Sequence, residues 1–235
     1  MIKITQQQVL DYVRCPNYFY FKYLTKIPDK TGSTFHSLIR TIINYYFSAL
    51  MDNKVPSDKE IKNRWDKMVE KYPLIISNDK LIMKGYGLLN LFIEYCYKNR
   101  VLIADIDSPY QINVSSNTIL TGQTGAVRLN EGKLELFEIE TSQKAPDQTL
   151  LNMSLRYTMQ IYALRELSIA HPITNVRILH LNSGKEFTTY RTNKDFDRLT
   201  NTLNKITKAI RNEIYYPRED YMCPQCSFKT YCGFT

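Results

Sequence analysis

Four cysteines near the two ends of this 235-residue chain carry the chemistry most legible in its sequence. Cys223, Cys226 and Cys232 follow a C-x2-C-x5-C pattern within the last thirteen residues, and Cys15, just ahead of Pro16, is the other cysteine outside the long middle. A C-x2-C pair on a short turn aims two thiolates at one soft centre, which suits either zinc or an iron–sulfur cluster. Three thiolates do not close a tetrahedral site. With Cys15 as the fourth ligand, the two ends of the chain must meet at one metal centre. Cys96, alone within a stretch of helical character, reads instead as a small buried hydrophobe.

The rest of the composition narrows the class. Thirty-one Lys and Arg against 23 Asp and Glu leave a net charge of +8. That balance favours an anionic partner such as nucleic acid, with a merely solubilising basic surface as the plainer alternative. Eighteen tyrosines and ten phenylalanines offer faces for base stacking, although most belong in a core. The 43% hydrophobic content supports a sizeable core, read as one domain over residues 1–235. An odd cysteine count and a start that turns polar by Gln6 predict a reducing, cytoplasmic setting without a disulfide framework. Leu81 to Ile106, the most apolar stretch, is interrupted by Lys84, Glu94, Lys98, Asn99 and Arg100, so no membrane span is expected.

The positioning elements follow from capping and periodicity. Thr5 with Gln8 three residues on predicts a helix over Thr5–Arg14, stopped at Pro16. A short aromatic helix over Asn17–Leu24 is expected to shield the cysteine centre. After a loop at Pro28–Gly32, helices are expected at Thr34–Met51, at Ser57–Lys71 and at Asp79–Arg100, making residues 1–100 a helical portion. Strands follow at Val101–Ala104, Tyr110–Val114, Thr118–Thr121, Gly125–Leu129 and Leu134–Glu140, the last two joined by an Asn130-Glu131-Gly132 turn. A helix over Gln148–Ser168, strands at Val176–Leu181 and Glu186–Arg191, and a final helix at Lys194–Ile214 complete the pattern. Residues 101–192 thus form a sheet core, and 193–235 the final helix and cysteine tail. The fold class is α/β, a mixed sheet flanked by helices.

This order of motifs resembles the PD-(D/E)XK nuclease superfamily. The residues that carry the likeness are Cys15-Pro16, the Gly32-x-x-x-His36 segment, the Gly122 to Gly125 strand, the hairpin to Glu138, the Gln160 helix and the terminal cysteines. The iron–sulfur branch, comprising RecB-like exonucleases of CRISPR adaptation and AddB-type nuclease domains, is the nearer match. It implies that Cys15, Cys223, Cys226 and Cys232 hold a [4Fe–4S] cluster, with structural zinc as the alternative. It also implies a Mg²⁺ or Mn²⁺ site, with His36 and Glu138 matching two of its ligands and Gln160 contributing from the helix.

The site departs from that pattern. Gly125 stands where the resemblance calls for aspartate, and Glu140 where it calls for lysine. Glu138 and Glu140, two apart on a strand, share a face and leave an altered metal shell conceivable. On the helix, Gln160 and Thr158 compete for one position, and about 200° of rotation keeps both from facing the site. Lys144 could replace the missing lysine charge, although a loop lysine is ordinarily solvated. The expected function is an iron–sulfur DNA-binding protein of RecB-like nuclease fold, acting on single strands or strand ends in replication, recombination or repair, with nuclease activity reduced or lost. A protein partner in such a complex is expected. An active Mg²⁺- or Mn²⁺-dependent DNA exonuclease and a protein-binding scaffold are the alternatives.

Overall fold

The computed structural model describes residues 1–28, 35–72, 78–167 and 173–233. Gly32, Thr34 and Ser168, which bear on the expectations above, lie outside them. The chain opens with a strand the sequence pattern did not suggest, β1 (Ile2–Thr5). Thr5 ends that strand and caps helix α1 (Gln6–Arg14) through a capping box with Gln8. Because one residue serves both elements, the cap signal hides the strand. Cys15 is extended, as a residue before proline must be. Pro16 then starts α2 (Pro16–Phe19), which runs on as a π-turn over Tyr20–Leu24 rather than as one regular helix.

Three longer helices follow: α3 (Phe35–Met51), α4 (Asp58–Val69) and α5 (Asp79–Lys98). Ser57 and Asn78 cap the latter two by accepting from the Glu60 and Leu81 amides. Their apolar stripes close on Trp65, which is fully buried, together with Tyr46, Phe47 and Phe92. Gly85 on α5 has no side chain because a Cβ there would overlap the indole of Trp65. Cys96 is buried in the same cluster, and burial pushes its thiol up to about 12.

The strands form two sheets, where the sequence pattern suggested one. The larger runs β2 (Leu102–Ile106), β5 (Ala126–Asn130), β6 (Lys133–Glu140), β7 (Asn175–His180) and β8 (Lys185–Tyr190) in that spatial order. All pairs are antiparallel except β6 with β7, which the intervening helices make parallel. The smaller sheet pairs β1 in parallel with β4 (Thr118–Gln123), which pairs antiparallel with β3 (Pro109–Ser115). The β5–β6 hairpin closes through Glu131 and Gly132, both at positive φ, a twist that suits a two-residue turn.

The helix expected at Gln148–Ser168 is two helices, α6 (Gln148–Met153) and α7 (Leu155–Leu167). Ser154 between them is extended, with ψ 110°. Arg191, 3% exposed, adds a side-chain bond to each of the Leu151 and Ser154 carbonyls flanking the break, and also bonds the Thr158 and Thr189 hydroxyls. The larger sheet is covered on one face by α3 and α5, where Phe47 and Tyr95 meet Phe137. On the other face, Ile161, Leu164 and Phe196 pack on Val127, Leu136, Val176 and Ile178. Phe196 comes from α8 (Asn193–Arg211). Among the described residues, no helix is long and apolar enough to cross a membrane.

Candidate functional site

Two centres collect the residues singled out in the sequence. The first is a cleft of ≈ 320 Å³ where α3, the ends of β5 and β6, the β2–β3 corner and α7 meet. His36, Arg40 and Asn44 recur every fourth residue on α3 and so share one stripe facing it. β6 contributes Glu138 and Glu140, and α7 contributes Arg156 and, one turn on, Gln160.

Glu138 is the focus of the cleft. Its carboxylate is 4% exposed and accepts from Arg40 Nη2 at 2.7 Å, from Arg156 Nη2 at 3.0 and 3.1 Å, and from Gln160 Nε2 at 3.3 Å. Burial of this kind costs several kcal/mol per ion unless charge and hydrogen bonds answer it, and here two guanidiniums do. Burial pushes Arg40 down, but the charge and hydrogen bond of Glu138, with Asp107 behind them, carry it up overall. Gln160 is itself buried, and its Oε1 has no hydrogen-bond partner.

Gly125 borders this carboxylate. Its φ is +86°, and a Cβ there would come within 3.0 Å of both Glu138 Oε1 and Gln160 Nε2. A side chain at 125 would therefore aim straight at Glu138, into space that Gln160 already takes. Asp107, at a corner with φ +48°, donates its N–H to the Gly125 carbonyl at 3.0 Å. Its carboxylate accepts from Asn44 Nδ2 at 2.5 Å, and burial pushes it up, with Arg40 opposing and Glu138 adding to the rise.

The remaining sequence candidates are placed less centrally. Glu140 accepts from the Ser142 amide at 2.8 Å, and His36 pairs through Nδ1 with Thr141 Oγ1 at 2.6 Å. His180 and Asn182 hold the same loop through the Ser142 carbonyl. Lys144 is exposed, and its carbonyl accepts from Ser142 Oγ. Thr158 faces Arg191, on the far side of the helix from Gln160. Sequence reasoning missed Arg40, Asn44, Asp107 and Arg156. The four-residue spacing of His36, Arg40 and Asn44, and of Arg156 and Gln160, is the signal that marks three of them. Asp107 lies on a corner and has no such pattern.

The second centre joins the two ends of the chain. Cys15, Cys223, Cys226 and Cys232 line one pocket of ≈ 40 Å³. Cys223 sits in a 3-10 turn (Cys223–Gln225), and Cys232 ends the short α9 (Lys229–Cys232). Phe228, 1% exposed, packs on Tyr18 and Phe21 behind them, which closes this side to water. Donors point at sulfur: Asn17 Nδ2 to Cys232 at 3.3 Å, the Asp220 amide to Cys223 at 3.2 Å and the Arg218 amide to Cys15 at 3.5 Å. Burial pushes the Cys232 thiol up; Asn17 opposes this, and Cys15, Cys226 and Cys223 add to it. Among the described residues no three His, Cys, Asp or Glu side chains draw close enough to hold one metal ion, in either centre.

A mixed five-stranded sheet between helices, with a buried carboxylate at the end of a strand and basic groups over it, defines an α/β protein of nuclease-like architecture. A family model, that of the PD-(D/E)XK nuclease superfamily, matches residues 3–233, and the chain belongs to that superfamily. Among solved structures, the crystal structure of SSO0001 is similar with a TM-score of 0.42 at 12% identity, covering 86% of this chain and 97% of that one. No curated protein matches the chain.

Proposed function

We propose that the protein is a nuclease-fold DNA-binding protein of replication, recombination or repair whose metal-dependent cleavage is reduced or lost. The observation that carries this is the occupation of Glu138 by Arg40, Arg156 and Gln160, beside a glycine at the place of a second carboxylate. Phosphodiester cleavage in this superfamily needs hard, anionic oxygen ligands for Mg²⁺ or Mn²⁺. Here the buried carboxylate is already neutralised, and Gly125 adds no ligand. The donor set does not fit the divalent ion, so no catalytic step is assigned to it.

A second reading, an active Mg²⁺- or Mn²⁺-dependent DNA exonuclease, is favoured by Asp107, a carboxylate that lines the same cleft beside Gly125. Incubating end-labelled single- and double-stranded DNA with either metal, beside Glu138→Ala, separates the two. Salt-sensitive binding without degradation supports the first reading; degradation abolished in Glu138→Ala overturns it.

The four thiols are proposed to hold a [4Fe–4S] cluster. An all-sulfur donor set with amide donors aimed at sulfur suits a thiolate-bound group. A polynuclear cluster spreads its ligands over several metal atoms, so it needs them further apart than a single zinc ion does. Such a cluster would bridge the α1–α2 junction and the C-terminal tail, closing a loop of roughly two hundred residues. Iron and acid-labile sulfide in protein purified anaerobically support this; stoichiometric zinc without iron overturns it.

A further inference from the structure

The cleft contains more than a neutralised carboxylate. An arginine carries five N–H donors in a planar fork. Arg40 and Arg156 each commit one nitrogen, Nη2, to Glu138, and their Nε and Nη1 groups have no hydrogen-bond partner among the described residues. Their side chains are 43% and 34% exposed, against 4% for Glu138. The carboxylate therefore acts as a buried anchor that holds two guanidiniums at the cleft surface with their outer edges open.

We propose that these open edges bind a phosphate group of a nucleic-acid strand, with no divalent cation between protein and phosphate. The inference rests on the DNA-binding reading above and names the chemistry of recognition. Guanidinium forks match phosphate oxygens two at a time. Anchoring through Glu138 also lessens the side-chain entropy that binding would otherwise cost. The remaining carboxylates do not point their charge freely: Asp107 accepts from Asn44 and Glu140 from the Ser142 amide. Three carboxylates nevertheless face two guanidiniums, so affinity must come from directed donors rather than net field. A cavity of ≈ 320 Å³ lies at the small end of ligand sites and admits a strand end or a single looped nucleotide, not a duplex.

The test measures the anisotropy of labelled single-stranded oligonucleotides carrying a 5′-phosphate or a 5′-hydroxyl, with EDTA present and inorganic phosphate as competitor. Wild type, Arg156→Gln and Arg40→Gln are compared, each first shown to unfold cooperatively in urea. Loss of about tenfold in affinity in either variant supports the proposal, because charge-assisted bonds are worth about 1.5–3 kcal/mol each. Tighter binding of the 5′-phosphate then identifies the terminal group as the source, and equal binding identifies an internal phosphodiester. Unchanged affinity in both folded variants, or binding that appears only when Mg²⁺ replaces EDTA, overturns it. Wild-type protein that binds neither oligonucleotide at low salt overturns the DNA-binding reading itself, whereas binding indifferent to both arginines overturns this inference alone.

Discussion

Replacing both Arg40 and Arg156 by methionine tests whether they are what keeps Glu138 charged inside the cleft. Methionine keeps the apolar stem of arginine over the site and removes only the guanidinium. The wild-type carboxylate is 4% exposed and has three partners, two of them cationic. Removing one guanidinium leaves the other in place and costs about 1–2 kcal/mol, the low side for a charged hydrogen bond because both arginines are partly in water. Removing both strands a buried charge with only the Gln160 amide, and the expected loss is about 3–5 kcal/mol.

The control is the triple variant, in which Glu138→Gln is added to the two methionines. It removes the charge at nearly constant shape, so most of the loss should return, giving a coupling of about 2 kcal/mol or more in the mutant cycle. Urea denaturation of the wild type, the single variants, the double and the triple measures it, with m-values checked for constancy. A double variant that loses less than about 1 kcal/mol would refute the reasoning. So would a triple no more stable than the double. Either result would mean that water or another group already compensates Glu138.

Three further outcomes are expected. Gly125→Ala should cost about 1–2 kcal/mol, since φ is +86° and the new Cβ meets Glu138 and Gln160 at 3.0 Å; an unchanged melting temperature refutes this. Cys232→Ala should lower metal content and speed protease cleavage of the segment between Pro217 and Cys223; unaltered metal content and cleavage rate in the variant count against a shared centre. Asp195 closes the capping box at the start of α8: burial pushes its carboxyl up, but bonds from the Thr192 amide and hydroxyl hold it below its ordinary value of 3.8. A depressed carboxyl stabilises the fold above its unfolded value and stops doing so as pH falls through its folded one. Asp195→Ala should therefore cost about 1 kcal/mol at neutral pH and progressively less toward strongly acid pH, and a gap that stays constant with pH sinks the argument.

What was legible in the sequence was whatever a local rule governs. The Thr5–Gln8 cap, the Ser57 start and the Glu131-Gly132 turn each concern residues a few positions apart, and each falls where the pattern put it. That the four cysteines line one pocket is by contrast a tertiary fact, joining the two ends of the chain.

What stayed hidden depends on partners far along the chain. β1 is four residues long, and nothing in Ile2–Thr5 announces that it will pair with Thr118–Thr121. The break at Ser154 is equally silent, because the side chain that braces the carbonyls flanking it belongs to Arg191, on the far side of β7 and β8. That break has a functional consequence. An unbroken helix from Gln148 would start α7 in another phase, and each residue of phase is about 100° of rotation. With the kink in place, Arg156 and Gln160 both face Glu138. Buried Arg191 bonds neutral acceptors alone, and burial lowers its proton affinity. A cation held at that cost, answered only in part by the nearby charge of Asp195, is accounted for by the α6–α7 junction it builds.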